Sequence, residues 1–339
     1  MSRECVDYRQ QDQILWDEEL AEFVPGRVFD VHIHMFDPSN MAAPSSAGST
    51  GRTTAHLATL QAWAKRLYPG RDVHFLTLGI PVPGIDPARH AAWQAEQLRG
   101  DPMSRFSRLA TPRCSVRKIE EDVRAYGAVG LKVYRSFSVT GGGEQCRIVD
   151  FLPHEQLALA NEMGLWVTLH LSRVDACADE VNLNDLEEFT TKRYPRIKWI
   201  LAHCARSFTY WAIRKGIGRL KEMPNVWFDL SAVTDMRPIL TLFQNVDIGR
   251  IFYGTDGLDA TYFHGAYCAM GRSWWAFDAD EAGIEMPYCS GRPVLSVYEQ
   301  ILSMKHAAEI AGLSKQDVER VFWMNAAEAF GVKGDWAGP

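Results

Sequence analysis

Eight short apolar runs recur along the chain, separated by stretches with helical periodicity, and this alternation restricts the fold more than any other feature of the sequence. The runs begin at Val28, Val73, Phe106, Gly127, Leu165, Ile197, Val226 and Ile251. Strands buried on both faces read as continuous apolar segments, and regular alternation of strand with helix builds a parallel sheet. The predicted fold is therefore α/β, a (β/α)8 TIM barrel. A helical extension over residues 11–23 precedes the first strand, and a long insertion over 257–292 follows the eighth. The 339 residues fit one such domain, with a barrel core from about 27 to 331 and no internal boundary. An open, doubly wound sheet would alternate in the same way, so the decision falls to the polar residues.

Those residues sit at strand ends. VFDVHIH carries His32 and His34, GLKVY carries Lys132, TLH ends in His170, LAHC holds His203 and FYGTD ends in Asp256. Barrel enzymes gather their chemistry at the C-terminal ends of their strands, whereas an open sheet would spread these ends along a line. Along a strand, side chains two apart share a face, so Asp30, His32 and His34 are expected together, opposite Phe29, Val31 and Ile33. Two imidazoles on one face can grip one metal ion. Asp30, one pleat deeper, is read as orienting a ligand rather than binding metal. Asp256 is read as ligand and general base, although GTDG also has the composition of a tight turn. Arg135, Arg173 and Arg206 each lie just beyond a ligand-bearing strand end, where a guanidinium can clamp a substrate carboxylate; Arg206 ranks first and Tyr134 is a weaker candidate. The Trp274–Trp275 pair is read as core or subunit contact, which leaves a homo-oligomer open.

Composition narrows the partners. A formal net charge of −6 offers no general attraction to nucleic acid or an anionic membrane, which leaves a small-molecule substrate. The N-terminus lacks the apolar core of a signal peptide and no run reaches membrane-spanning length, so a cytoplasmic location is expected. The 7 cysteines are scattered without a CxxC pair, as expected of reduced thiols. The Ser/Pro/Gly-rich segment 37–54 and the glycine-rich 139–149 are expected to be loops at the mouth, the first of them a lid.

Taken in order, FDVHIH, GLKVY, TLH, LAHC and FYGTD resemble the amidohydrolase superfamily of metal-dependent barrel hydrolases, from about Phe29 to the closing VFWMNAAEAFG. With NVWFDLSA, the likeness is greater to the branch containing aminocarboxymuconate semialdehyde decarboxylase-like enzymes and lactonases. The resemblance implies zinc, or manganese or another divalent metal. In a one-ion form His32, His34, His170 and Asp256 would hold the metal and His203 would serve as acid, base or electrophile. In a two-ion form Lys132 would be carboxylated to bridge the ions, and His170 and His203 would hold the second. The alternative for Lys132 is a plain ammonium paired with Asp256 or a substrate carboxylate. Catalysis would rest on Asp256 and His203. The expected activity is hydrolysis of a small ester, lactone or amide carrying an acidic group. Non-oxidative decarboxylation of a small unsaturated or aromatic acid is the alternative, and a non-catalytic binding protein on the same barrel is the rival from another class.

Overall fold

The computed structural model describes residues 6–42 and 54–332; most of the expected lid, 43–53, lies outside them. Eight parallel strands follow one another in the order of the sequence: β1 (Arg27–His34), β2 (Asp72–Leu78), β3 (Arg105–Ala110), β4 (Gly130–Val133), β5 (Trp166–Leu169), β6 (Lys198–Leu201), β7 (Val226–Asp229) and β8 (Ile251–Phe252). The ring closes where Val31 N donates to Tyr253 O at 3.0 Å, bringing the end of β8 against β1. Closure settles the choice between barrel and open sheet.

Helices follow the strands with the stops and starts their sequences encode. The helix Val116–Tyr126, for example, starts at Ser115, whose hydroxyl accepts from Lys118 N, and ends at Gly127 with φ of 72°. The insertion after β8 contains a two-stranded antiparallel hairpin, β9 (Gly265–Met270) and β10 (Ser273–Asp278). No helix among the described residues is long and apolar enough to cross a membrane.

The core has two layers. Phe29, Val31, Leu76, Leu78, Trp166, Ile200 and Phe252 fill the barrel interior, plugged from below by Trp323, Ala326 and Phe330. A larger shell, including Ile33, Leu131, Val133, Val167, Leu169 and Trp199, packs strands against helices. This division corrects the expected strand alternation in β1. The pairing of β1 with β2 slips between Asp30 and Ile33, so Phe29 and Val31 point inward while Ile33, two further on, points outward. A bulge re-aims side chains in this way. It places His32 and His34 above the inner apolar layer and separates Asp30 from them.

Candidate metal centre and active site

At the C-terminal mouth of the barrel a cavity of about 290 Å3 is lined by His32, His34, His170, His203, Asp256, Tyr134, Arg135 and Arg206 on its polar side. Pro81, Phe208, Ala260, Tyr267 and Trp274 complete the wall. Asp256 Oδ1 is 3.4 Å from His32 Nε2 and 3.2 Å from His34 Nε2, and Asp256 Oδ2 is 3.8 Å from His203 Nε2. The donor atoms of His32, His34 and Asp256 all lie within 4.8 Å of one another.

Backbone geometry brings these groups together. Asp30 accepts from His32 N, Thr255 N and Thr255 Oγ1, pinning the segment after β8 to β1. Asp256 follows in the left-handed region with φ of 59°. Gly254 permits this close approach, since a Cβ there would stand 2.9 Å from the Cβ of His32. Asp30 therefore positions Asp256 rather than a histidine ring.

The ring of His32 is oriented instead by Asp229, at the end of β7. His32 Nδ1 lies 2.9 Å from Asp229 Oδ2, and Asp229 Oδ1 accepts from His203 N at 3.0 Å and Ser231 N at 3.1 Å. With its Nδ1 proton given to a carboxylate, His32 presents the Nε2 lone pair to the cavity. His203 is fixed similarly, its Nδ1 lying 3.0 Å from Ser231 O, which assigns the proton to Nδ1 and leaves Nε2 facing Asp256.

His203 does not end a strand as its sequence suggests. From His203 to Arg206 four consecutive residues have φ between 50° and 60°, a left-handed turn that L-residues adopt at a cost of roughly 1–2 kcal/mol each. The turn delivers His203 and Arg206 to one cavity and buries Cys204 among apolar groups, where burial pushes its thiol well above the ordinary range. Arg206 Nη1 donates to Leu171 O at 3.3 Å and also to Arg173 O, and Arg135 Nη1 donates to Gly143 O at 3.2 Å. Neither guanidinium pairs with a carboxylate of a described residue.

The cluster is electrostatically unusual. Burial, with the charge of Lys132, lowers His32 to about 4, and burial alone brings Lys132 down to about 8 against the pull of Asp256 and Asp229. Burial acts to raise Asp256, but the imidazoles of His32, His34 and His203 outweigh it and hold the carboxyl well below its usual range. Burial and then His203, Arg206 and Lys132 lower His170 far below an ordinary histidine. Imidazoles kept neutral by burial, as at His32 and His170, beside an ionised carboxylate are the donor chemistry a divalent cation requires. His170 Nδ1 adds a buried polar atom with no hydrogen-bond partner among the described residues. The residues fit a metal.

Of the predicted positions, His32, His34, Asp256 and His203 converge directly. Lys132 stands beneath them in the barrel interior with Nζ 3.2 Å from His32 Nε2, so its partner is a histidine rather than Asp256. His170 lines the same cavity and packs on His203 with ring centroids 5.2 Å apart, but lies outside the three-donor cluster. Tyr134 Oη is 3.0 Å from His34 Nε2. Arg173 does not join the site: its Nε donates to Asp179 at 2.8 Å and its Nη1 to Gln145 O. Trp274 was expected in core or a subunit contact and instead lines the cavity. The sequence reading missed Asp229, Ser231, Phe208 and Tyr267. Asp229 alone carried a usable signal, being a carboxylate at the end of an apolar strand like the others.

A family profile described as Amidohydrolase matches residues 29–332. No curated protein matches the chain by sequence. Solved structures share the fold. An Amidohydrolase 2 from Bifidobacterium longum subsp. infantis superposes with a TM-score of 0.51 at 14% identity, covering 91% of this chain and 100% of its own. A 5-carboxyvanillate decarboxylase from Sphingomonas paucimobilis gives 0.52 at 13%, covering 91% and 100%. A dihydroxybenzoic acid decarboxylase from a Polaromonas species, with bound manganese and the inhibitor 2-nitroresorcinol, gives 0.53 at 13%, covering 91% and 97%.

Proposed function

The chain belongs to the amidohydrolase family, and from that premise we propose that it is a divalent-metal-dependent hydrolase of a small ester, lactone or amide that carries an acidic group. The observation that carries this reading is the convergence of His32 Nε2, His34 Nε2 and the Asp256 carboxylate in a cavity whose wall holds two guanidiniums that have no carboxylate partner among the described residues. His32, His34 and Asp256 would hold zinc or manganese, with His170 and His203 as further ligands. Bound there, a divalent ion supplies Lewis acidity and makes water a competent nucleophile at neutral pH.

The chain's own groups supply the rest. The ionised Asp256 accepts the proton of the attacking water and returns it to the leaving group. His203, with its Nδ1 proton committed to Ser231 O, turns the Nε2 lone pair to the cavity, where it can accept a hydrogen bond or a proton from the substrate. Arg206 and Arg135 bind the acidic group by charge-assisted hydrogen bonds, and Tyr134 lies beside His34 to orient the reacting end.

A second reading, non-oxidative decarboxylation of a small unsaturated or aromatic acid, uses the same residues. It is supported by the decarboxylases among the proteins of similar fold. Turnover in oxygen-18 water separates the two, since hydrolysis places solvent oxygen in the product and decarboxylation releases carbon dioxide. A purified protein that stays empty at saturating zinc and manganese overturns both and leaves a binding role.

A further inference from the structure

The hairpin inserted after β8 turns one face to the cavity. Trp274 pairs with Ala269, and Ala276 with Tyr267. Directly opposed residues share a face, so Tyr267, Ala269, Trp274 and Ala276 point one way while Trp275 and Phe277 point the other. On the first face the two aromatic rings are separated only by alanines, and both rings line the cavity. They meet Phe208, which follows the left-handed turn: ring centroids are 4.3 Å apart for Phe208–Trp274 and 5.1 Å for Phe208–Tyr267. Phe208 in turn lies 5.4 Å from the His203 ring at an interplanar angle of 29°. An aromatic wall thus runs from the hairpin down to a histidine of the proposed metal centre. Trp274 remains 42% exposed, an apolar surface left open at the mouth.

The hairpin is held in this position from several sides. Thr234 Oγ1 donates to Tyr267 O at 3.0 Å and accepts from Tyr267 N at 2.9 Å. At its base, Asp12 is 3.0 Å from His264 Nε2 and accepts from Leu295 N at 2.8 Å. A wall fixed before the substrate arrives binds without an ordering penalty.

We infer that Trp274, seated on Phe208 and Tyr267, is a specificity-determining residue that selects substrates with a flat, sp2-carbon ring. The π face of the ring lies on the aromatic wall while its acidic group meets Arg135 and Arg206. This rests on the reading of the cavity as an acidic-substrate site. Offset stacking adds to simple burial for a flat ring and not for a puckered one, which corresponds to roughly three- to ten-fold in affinity.

Calorimetric titration of the metal-loaded full chain with benzoate and with cyclohexanecarboxylate tests this, because the two acids share a charge and differ in ring shape. The parent protein is expected to bind benzoate about three- to ten-fold more tightly. That preference should vanish in Trp274→Ala and persist in Trp274→Phe and in Trp275→Ala, whose side chain is on the opposite face. Equal affinity for the two acids in the parent, or a preference that survives Trp274→Ala, overturns the role of Trp274 while leaving the acidic-substrate reading in place. Equal loss in Trp275→Ala overturns it also, since the effect would then come from displacement of the hairpin. Failure of both acids to bind overturns the acidic-substrate reading together with this inference.

Discussion

Replacing Asp229 probes how much of the site depends on one buried carboxylate. Asp229 is fully buried and accepts from His32 Nδ1, His203 N, Ser231 N and Ser231 Oγ. In Asp229→Ala two main-chain N–H groups, one imidazole N–H and the Ser231 hydroxyl lose their acceptor. Each orphaned donor costs about 1–3 kcal/mol, and His32, neutral in the folded protein, loses its carboxylate partner without leaving an uncompensated charge. Water entering the space left behind satisfies some of these donors, so the expected destabilisation is about 3–5 kcal/mol against a total stability of roughly 5–15 kcal/mol. Asp229→Asn keeps one acceptor oxygen and turns an amide NH2 toward another donor, so it falls between. Both variants free the His32 ring and weaken metal binding by roughly 10–100-fold, the usual effect of losing a carboxylate that orients a ligating histidine. Urea unfolding of the metal-free protein reads the first effect, and competition with a chromophoric chelator reads the second. If Asp229→Asn unfolds at the parent midpoint and binds metal with parent affinity, the orientation argument is wrong.

Other substitutions separate groups that look alike in the sequence. Arg206→Met should raise KM for an acidic substrate by roughly 10–100-fold, the value of a charge-assisted contact, while Arg173→Met, whose parent side chain turns to Asp179, leaves KM unchanged; equal effects refute the assignment. His90 is fully buried with its Nε2 3.1 Å from Met35 O, and burial lowers its pKa to about 4. Between pH 4 and 6.5 the unfolded chain therefore binds more protons at this position than the folded one, so stability rises with pH across that window and about 3 kcal/mol is lost on acidifying through it. Urea midpoints measured from pH 4 to 6.5 should fall less steeply toward acid in His90→Gln than in the parent, and parallel curves would contradict the account. In the helix Tyr210–Leu220, a Cβ at Gly216 would stand 2.2 Å from Cys177 O whereas nothing lies within 4 Å of one at Gly218. Gly216→Ala should destabilise by about 1–3 kcal/mol and Gly218→Ala should stabilise by up to about 1 kcal/mol, as read from thermal unfolding; the same sign for both refutes the contact.

The barrel was legible because strands buried on two sides cannot hide their apolar runs, and even the weak third strand appears at Arg105–Ala110. The metal-centre residues were legible because each stands at a strand end where an apolar run turns polar. What the sequence withheld depends on local register or handedness. The bulge in β1 leaves no glycine or proline to mark it, so the shared face of His32 and His34 was readable and the separation of Asp30 from them was not. The left-handed turn at 203–206 contains no glycine either, and His203 therefore reads as the end of a strand. Arg173 and Arg206 occupy equivalent places in the pattern, and only the path of the loops sends one to Asp179 and the other into the cavity. Trp274 and Trp275 are adjacent, and hairpin pairing alone decides which one faces the site. Asp229 sat in plain view at the end of VWFD, but its role depends on β7, β8 and β1 meeting as the ring closes.

The central claim is that His32, His34 and Asp256 hold a divalent ion on which the chemistry depends. Metal stoichiometry of the purified chain after loading with zinc or manganese and exhaustive dialysis, measured beside His34→Ala with electron density at Lys132, tests it most directly. One ion per chain over an unmodified lysine, or two bridged by a carboxylated Lys132, is the expected result, with the ion bound by His34 lost in the variant while the fold is retained. A parent chain that retains no metal, or a His34→Ala chain that retains as much as the parent, contradicts it.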